Sequence, residues 1–180
     1  DEIIYTDENF SFLIVEGRVV DPKTKIDMTG KRLEELTRIN FSNLPFEKSI
    51  KTIKGKGERK IAIFSDLDCP FCKKLEKETL SKLDNVTIYT FLFPLAIHPE
   101  AKIKSKRIWC SADREKSWND YMLNNKLPTN KGECINPIEE ILLLGDDLAI
   151  RSTPTIVLPS GKKIPGAIPL AEMREYLNDE

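Results

Sequence analysis

Two cysteines stand two residues apart in the segment Cys69-Pro70-Phe71-Cys72. A pair with this spacing can cycle between two thiols and a disulfide, and zinc and haem sites use the same spacing. In thiol–disulfide exchange the deprotonated sulfur is the attacking species, so the surroundings of each sulfur decide what the pair can do. The motif alone leaves all three kinds of chemistry open.

The other candidate ligands argue against zinc and haem. Cys110 and Cys134 lie far apart in the sequence, neither has a second ligand close by, and the only histidine is His98, beside Pro99. A four-ligand zinc site requires a second ligand pair. Haem attachment requires a histidine directly after the second cysteine, where this chain has Lys73. We therefore expect redox chemistry, with no metal and no cofactor.

The elements around the motif strengthen the redox interpretation. The short apolar run at residues 61–64 predicts a buried strand directly before the motif, and residues 72–83 predict a helix directly after it. Cys69 then lies at a helix N-terminus, where unpaired N–H groups and the helix dipole favour a thiolate over a thiol. Cys69 is the expected nucleophile, and Cys72, one turn into the helix, is the expected resolving thiol.

Two carboxylates, Asp66 and Asp68, precede the motif. A negative charge close to Cys69 would oppose the effect of the helix dipole. One interpretation makes Asp66 a proton acceptor for Cys72 during exchange. The more ordinary interpretation makes both of them loop carboxylates, one of which caps the helix.

Length and composition indicate one ordinary domain, or one domain plus a small appendage. The chain has 180 residues, of which 40% are hydrophobic, and its 28 basic and 29 acidic residues leave a net charge of −1. This balance does not favour nucleic acid as a partner. No apolar run reaches the roughly 20 residues that cross a bilayer, so membrane insertion is not expected. The chain begins at Asp1 without Met, as a processed or trimmed chain would.

The pattern along the chain changes from β to helix and then to α/β. Residues 9–15 and 19–20 predict a small hairpin with a turn at 21–24, residues 29–39 predict a helix capped by Thr29, and residues 47–53 predict a short helical turn. Further strands are expected at 61–64, 86–92, 155–158 and around Ile164, and further helices at 72–83, 100–123 in two pieces, 137–148 and 170–177. The order β-α-β, helical insert, β-β-α predicts the α/β class with a thioredoxin-like fold and a helical insertion.

The motif and its flanks, residues 64–74, resemble the DsbC/DsbG branch of periplasmic disulfide isomerases. Three further stretches agree with this resemblance. Residues 107–113 resemble the start of that branch's helical insert, residues 152–155 its cis-proline loop, and residues 161–166 its closing strand. The match runs in order from about Ile3 to the end of the chain.

The resemblance implies roles for individual residues. Pro154 would be cis and would face the pair of Cys69 and Cys72. The Thr153 backbone could then pair with an extended substrate peptide, and Phe71 would help to bind unfolded chains. Substrate-binding roles are therefore expected for Thr153, Pro154 and Phe71.

The remaining two cysteines match the branch's structural pair. Spacing alone allows three pairings of four cysteines, whereas the resemblance implies a bond between Cys110 and Cys134. Such a bond would stabilise the fold by roughly 3 kcal/mol through loop closure. It would also indicate an oxidising compartment, and the resemblance implies the periplasm.

The resemblance also implies a division of the chain. Residues 1–40 would hold part of an N-terminal dimerisation-type β segment and a linker helix, and residues 41–180 a catalytic domain with its helical insert at about 98–150. Residues 3–28 match only the latter part of the branch's dimerisation domain, which leaves a homodimer in question. A second departure is Ile63, which stands where thioredoxins carry a buried acid, so we expect different proton handling.

The expected activity is protein disulfide isomerase or reductase activity on misfolded or misoxidised secreted proteins. An isomerase must be kept reduced, and the resemblance implies a membrane reductase of the DsbD type as the electron donor. A DsbA-like oxidase that donates its disulfide is an alternative. Another is a chaperone-like module that binds unfolded chains and uses its cysteines only structurally.

Overall fold

The computed structural model describes residues 2–179. The strands are β1 (Tyr5–Thr6), β2 (Leu13–Ile14), β3 (Ile50–Lys54), β4 (Arg59–Ser65), β5 (Val86–Leu92), β6 (Thr155–Val157) and β7 (Lys163–Pro165). The helices are α1 (Met28–Leu36), α2 (Pro70–Glu78), α3 (Ala101–Trp109), α4 (Arg114–Asn124), α5 (Ile138–Asp147) and α6 (Leu170–Asp179). Short 3-10 turns lie at Phe41–Asn43, Phe46–Lys48 and Leu80–Lys82.

A five-stranded sheet in the order β3-β5-β4-β6-β7 forms the centre of the molecule. Strands β4 and β5 are parallel, whereas the other neighbours are antiparallel. Phe64 near the end of β4 lies opposite Thr155 at the start of β6. The residues that follow β4 and those that precede β6 therefore meet at one end of the sheet, and these are the segments that hold Cys69 and Pro154.

Helices cover both faces of the sheet. Alternate residues of the central strand β4 point to opposite faces, so both sets of side chains are buried. Ile61 and Ile63 pack with Leu75 of α2 and Met173 of α6 on one face. On the other face Phe64 stacks on Phe91, and Ile141 of α5 completes that layer. Full burial of side chains of this size stabilises the fold by about 1.5–3 kcal/mol each. The predicted α/β class and thioredoxin-like order are confirmed.

Helices α3, α4 and α5 form the helical insert between β5 and β6, which packs against the motif. Ile108 of α3 and Trp118 and Tyr121 of α4 belong to the same buried cluster as the two motif cysteines. The insert therefore forms one wall of the motif's surroundings.

Two local predictions in the first third of the chain need correction. The helical turn expected at residues 47–53 is present only at its start, as the 3-10 turn Phe46–Lys48, and residues 50–54 form strand β3, paired antiparallel with β5. Helix α1 is capped by Asp27, whose carboxylate accepts the Gly30 N–H at 2.9 Å. The expected cap, Thr29, is buried, and its hydroxyl accepts the Val19 N–H at 2.8 Å.

The N-terminal β segment is less regular than its composition suggests. The predicted strand at residues 9–15 shrinks to the two residues of β2, which pair with β1. Phe10 adopts a positive φ of 54°, which ends the extended backbone, and Asp7 accepts the Ser11 N–H at 2.7 Å to close the loop. The expected hairpin around residues 21–24 is reduced to one isolated bridge between Val20 and Asp27. The division of the chain near residue 40 stays a prediction.

Candidate active site

Cys69 is the N-cap residue of α2, with extended backbone angles of φ −71° and ψ 121°. Pro70 follows at the first position of the helix, where a missing N–H costs nothing and the fixed φ suits the helix. The Cys69 side chain makes no capping hydrogen bond to the first turn of this helix. The positive end of the helix dipole therefore acts on the Cys69 sulfur, as the sequence predicts.

The sulfur of Cys69 lies against the loop that precedes β6. The Cys69 thiol donates a hydrogen bond to the Thr153 carbonyl oxygen at 3.3 Å, and the Thr153–Pro154 peptide bond is cis. Cys69 is only 4% exposed, whereas Phe71 beside it is 61% exposed. The structure thus brings together four of the residues expected at the site, Cys69, Cys72, Thr153 and Pro154, and the fifth, Phe71, lies between the two cysteines in the chain with an exposed side chain.

Cys72 lies behind Cys69 and is fully buried. The N–H of Asp66 donates to its sulfur at 3.4 Å, and the Ser65 and Thr153 hydroxyls also lie against it. Burial nevertheless raises the pKa of Cys72 to about 12, and the neighbouring Cys69 acts in the same direction. Both thiols are free in this structure, and Cys72 is held in its neutral form at physiological pH.

Asp66 fixes the loop around the motif. Its fully buried carboxylate accepts the N–H groups of Asp68 at 2.8 Å and of Leu95 at 2.7 Å, and its Oδ2 lies 2.9 Å from His98 Nδ1. These contacts differ from both sequence interpretations: Asp66 meets Cys72 through its backbone, and neither Asp66 nor Asp68 caps α2.

Asp68, directly before Cys69, is bound by the helical insert. Lys104 Nζ donates to both carboxylate oxygens at 2.8 Å, and the Tyr121 hydroxyl donates to Oδ1 at 2.7 Å. Burial alone would raise the pKa of Asp68, but the hydrogen bonds from Lys104 and Tyr121 outweigh it, so the pKa is lowered. Sequence reasoning missed Lys104 and Tyr121, because nothing in the local pattern connects residues 36 and 53 positions away.

Sequence reasoning also missed a carboxylate, Glu76, one turn beyond Cys72 on α2. The Trp118 indole N–H donates to its Oε1 at 2.8 Å. Burial raises the pKa of Glu76 to about 7, against smaller opposing effects of Trp118 and Lys54. The position that carries an acid in thioredoxins holds Ile63, which packs in the apolar core.

The other two cysteines form a disulfide at the far end of α3. Cys110 and Cys134 are bonded, with a Cα–Cα distance of 5.6 Å, in agreement with the pairing that the resemblance implies. Among residues 2–179 no cluster of three or more His, Cys, Asp or Glu side chains is arranged to hold a metal ion. No helix in the same range is long and apolar enough to span a membrane.

Comparisons with known proteins agree with this geometry. The model of the thioredoxin-like domain family matches residues 46–180. A protein of Bordetella parapertussis named probable thiol:disulfide interchange protein DsbC is 39% identical over 98% of this chain and 62% of its own length. The thiol:disulfide interchange protein DsbC of Escherichia coli is 28% identical over 92% of this chain and 69% of its own length.

Solved structures give the same result. A disulfide interchange protein from Neisseria gonorrhoeae superposes with a TM-score of 0.72 at 40% identity, over 76% of this chain and 97% of that one. The thiol-disulfide exchange protein alpha-DsbA2 of Wolbachia pipientis has a TM-score of 0.60 at 15% identity, over 82% of this chain and 97% of that one, and shares the fold. The chain spans about 62% of the length of the Bordetella relatives.

Proposed function

Because this chain belongs to the thioredoxin-like family of disulfide interchange proteins, we propose that it catalyses thiol–disulfide exchange on proteins. Cys69 is the nucleophile in this proposal, and Cys72 is the resolving thiol. The observation that carries the proposal is the position of Cys69 at the N-terminus of α2, with its sulfur 3.3 Å from the Thr153 carbonyl oxygen. A sulfur at that helix end is stabilised as a thiolate and lies beside a backbone to which a substrate strand can pair.

In the first step the Cys69 thiolate attacks one sulfur of a substrate disulfide. A new S–S bond joins Cys69 to the substrate, the substrate's own S–S bond breaks, and the second substrate sulfur leaves as a thiolate. That thiolate takes up a proton from solvent. The exposed ring of Phe71 and the backbone at Thr153 and Pro154 would hold the unfolded segment during this step.

The mixed disulfide can then be resolved in two ways. A substrate thiolate can attack the substrate sulfur bound to Cys69, which releases a rearranged protein and regenerates the Cys69 thiolate with no net redox change. Alternatively Cys72 gives up its proton and attacks the Cys69 sulfur; the bond between Cys69 and the substrate breaks, the substrate sulfur leaves and takes up a proton, and the Cys69–Cys72 disulfide remains beside a substrate reduced by two electrons. The raised pKa of Cys72 slows the second route, because little of it is thiolate at neutral pH. This supports isomerisation as the main activity.

The remaining parts of the proposal follow from the isomerase role. We assign the protein to the periplasm, because the Cys110–Cys134 disulfide is the kind of bond that persists in oxidising compartments. Its substrates would be misoxidised proteins, and a membrane reductase of the DsbD type would return the pair to dithiol after each reductive cycle. A homodimer would cover the exposed apolar side chains of Phe10, Leu13 and Ile14.

Refolding of a scrambled substrate tests the proposal. The reduced protein should restore activity to ribonuclease with randomly paired disulfides, and Cys69→Ala should abolish that rescue. A protein that oxidises reduced ribonuclease and leaves the scrambled form untouched would be an oxidase of the DsbA type. A Cys69→Ala variant with full rescue would mark a chaperone-like binding module and overturn the proposal.

A further inference from the structure

The carboxylate of Asp68 is poorly placed for the proposed chemistry. It directly precedes the nucleophile, and a free negative charge there would disfavour the Cys69 thiolate. The sequence offers no reason to place an acid at this position. In the structure the Asp68 carboxylate is bound by Lys104 of α3 and Tyr121 of α4, which both belong to the helical insert.

Two residues of the helical insert bind Asp68. Lys104 of α3 reaches both carboxylate oxygens at 2.8 Å, and Tyr121 of α4 donates its hydroxyl to Oδ1 at 2.7 Å. The side chains of Asp68 and Lys104 are 18% and 24% exposed, so solvent screens this pair only partly. The backbone of Asp68 is fixed as well, since its N–H donates to Asp66.

A second lysine, Lys73 of α2, also lies beside Tyr121. Lys73 Nζ lies 4.8 Å from the centre of the Tyr121 ring and donates to Asn125 Oδ1 at 2.6 Å. Its positive charge also lowers the pKa of Asp68. The charged and titratable groups that act on Asp68 are thus Lys104 from α3, Tyr121 from α4 and Lys73 from α2.

We propose that the helical insert sets the reactivity of Cys69, with Lys104 and Tyr121 as positioning residues that neutralise and hold the carboxylate of Asp68, the residue directly before the nucleophile. The inference rests on the proposed function only in taking Cys69 as the attacking thiol. It assigns the insert a part in the chemistry: the pairing removes the electrostatic penalty of Asp68 and keeps the reactive loop in one conformation. Loss of Lys104 removes the ion-pair partner of the Asp68 carboxylate and leaves only the hydrogen bond from the Tyr121 hydroxyl on it.

The rate of Cys69 alkylation by the uncharged reagent iodoacetamide tests this coupling. Mass spectrometry of the reduced protein identifies the labelled sulfur, and rates are measured from pH 5 to pH 9. Lys104→Met should slow labelling about three- to tenfold at pH 7, because repulsion from a nearby like charge shifts thiolate formation to higher pH. The rate at the high-pH plateau should stay unchanged.

Matched variants separate charge from structure. Asp68→Asn should label at least as fast as the unmodified protein, and Asp68→Asn with Lys104→Met should return to within about twofold of it. Lys102→Met is the control, since it removes a lysine of the same helix that pairs with Glu139 on the surface. Its labelling rate should not change.

Two outcomes would overturn the inference. Labelling of Lys104→Met at the original rate would show that the pair does not act on Cys69. A double variant as slow as Lys104→Met, with a lowered plateau, would mean that Lys104 only supports the fold. The scrambled-ribonuclease assay on the unmodified protein is independent of both, so failure there would remove the proposed function and leave this charge coupling to be judged on its own rates.

Discussion

Cys69 and Cys110 stand at opposite ends of their helices. Cys69 is the N-cap of α2, where the dipole favours a negative sulfur, whereas Cys110 is the C-cap of α3, where the dipole disfavours one. Solvent exposure does not mark the pair that is expected to react. Both motif cysteines are buried, whereas Cys134, the disulfide partner of Cys110, is exposed. The comparison teaches that the helix end and the bonding partner, rather than solvent contact, distinguish the free motif pair from the disulfide-bonded pair.

The surroundings of the two cysteine pairs also differ. The motif pair meets a cis-proline loop and has free thiols. The Cys110–Cys134 bond ties the end of α3 to the segment before α5, where Asn130 also donates to the Arg107 carbonyl oxygen at 2.8 Å. One pair is therefore suited to exchange and the other to holding the insert together.

Removing one sulfur from each pair tests most directly whether the two pairs have different roles. Cys69→Ser should lower the rate at which the reduced protein cleaves a peptide disulfide by at least about a hundredfold, because a hydroxyl is not ionised at neutral pH. Cys134→Ser should keep the rate within about twofold, with chromatography of the peptide as the measurement. Equal losses in both variants would contradict the division of roles.

Within the reactive pair, Cys72→Ala should separate attack from resolution. Cys69 still attacks, but the resolving thiol is gone, so with a substrate that offers no further free thiol a mixed disulfide should accumulate to most of the protein. Non-reducing electrophoresis with mass spectrometry would detect the adduct at Cys69. Adducts at Cys110 or Cys134, or none at all, would count against the assignment.

Removal of the structural pair should affect stability more than chemistry. Cys110→Ala with Cys134→Ala should lower the free energy of unfolding by about 2–4 kcal/mol, since the bond closes a loop with a sequence separation of 24. Urea denaturation of the oxidised and double-variant proteins gives the difference. At temperatures where the variant is folded, peptide cleavage should continue, and its loss there would link this bond to the reaction.

The smallest expected effect concerns Glu76, which links α2 to the insert through Trp118. Burial raises its pKa from 4.5 to about 7, so the folded state holds a proton that the unfolded state releases between these values. The contribution of the protonated Glu76 side chain to the free energy of unfolding is fully present below about pH 4.5 and is lost as the pH rises through about 7. Glu76→Gln should therefore raise the free energy of unfolding by about 1–3 kcal/mol at pH 8 and change it little at pH 4.5, measured with urea.

Glu78→Gln is the matched control, because Glu78 lies exposed on the same helix. It should change stability little at either pH. An equal effect of Glu76→Gln at pH 4.5 and pH 8 would show that the carboxyl does not carry the raised pKa.

The sequence predicts the parts of the site that depend on neighbouring residues. The strand before Cys69, the helix after it and the strand Val86–Leu92 follow from local apolar patterns and from Pro70 at the helix start. The cis-proline and the second disulfide came from the family resemblance, since spacing alone could not choose them.

The rest depends on packing between distant segments, which local patterns do not encode. Lys104 and Tyr121 meet Asp68, and His98 meets Asp66, only after the insert folds back over the motif. Strand β3 is not predictable from its own sequence, because its residues become extended by pairing with the edge of β5. The dimer and the division near residue 40 stay predictions.

Absorbance at 240 nm, where thiolates absorb and thiols do not, tests the central claim most directly. At pH 7 the reduced protein should show the absorbance of a large part of one thiolate, and this should be lost in Cys69→Ala and kept in Cys72→Ala. Absence of thiolate absorbance at pH 7, or its loss in Cys72→Ala alone, would contradict the account of a helix end that activates Cys69.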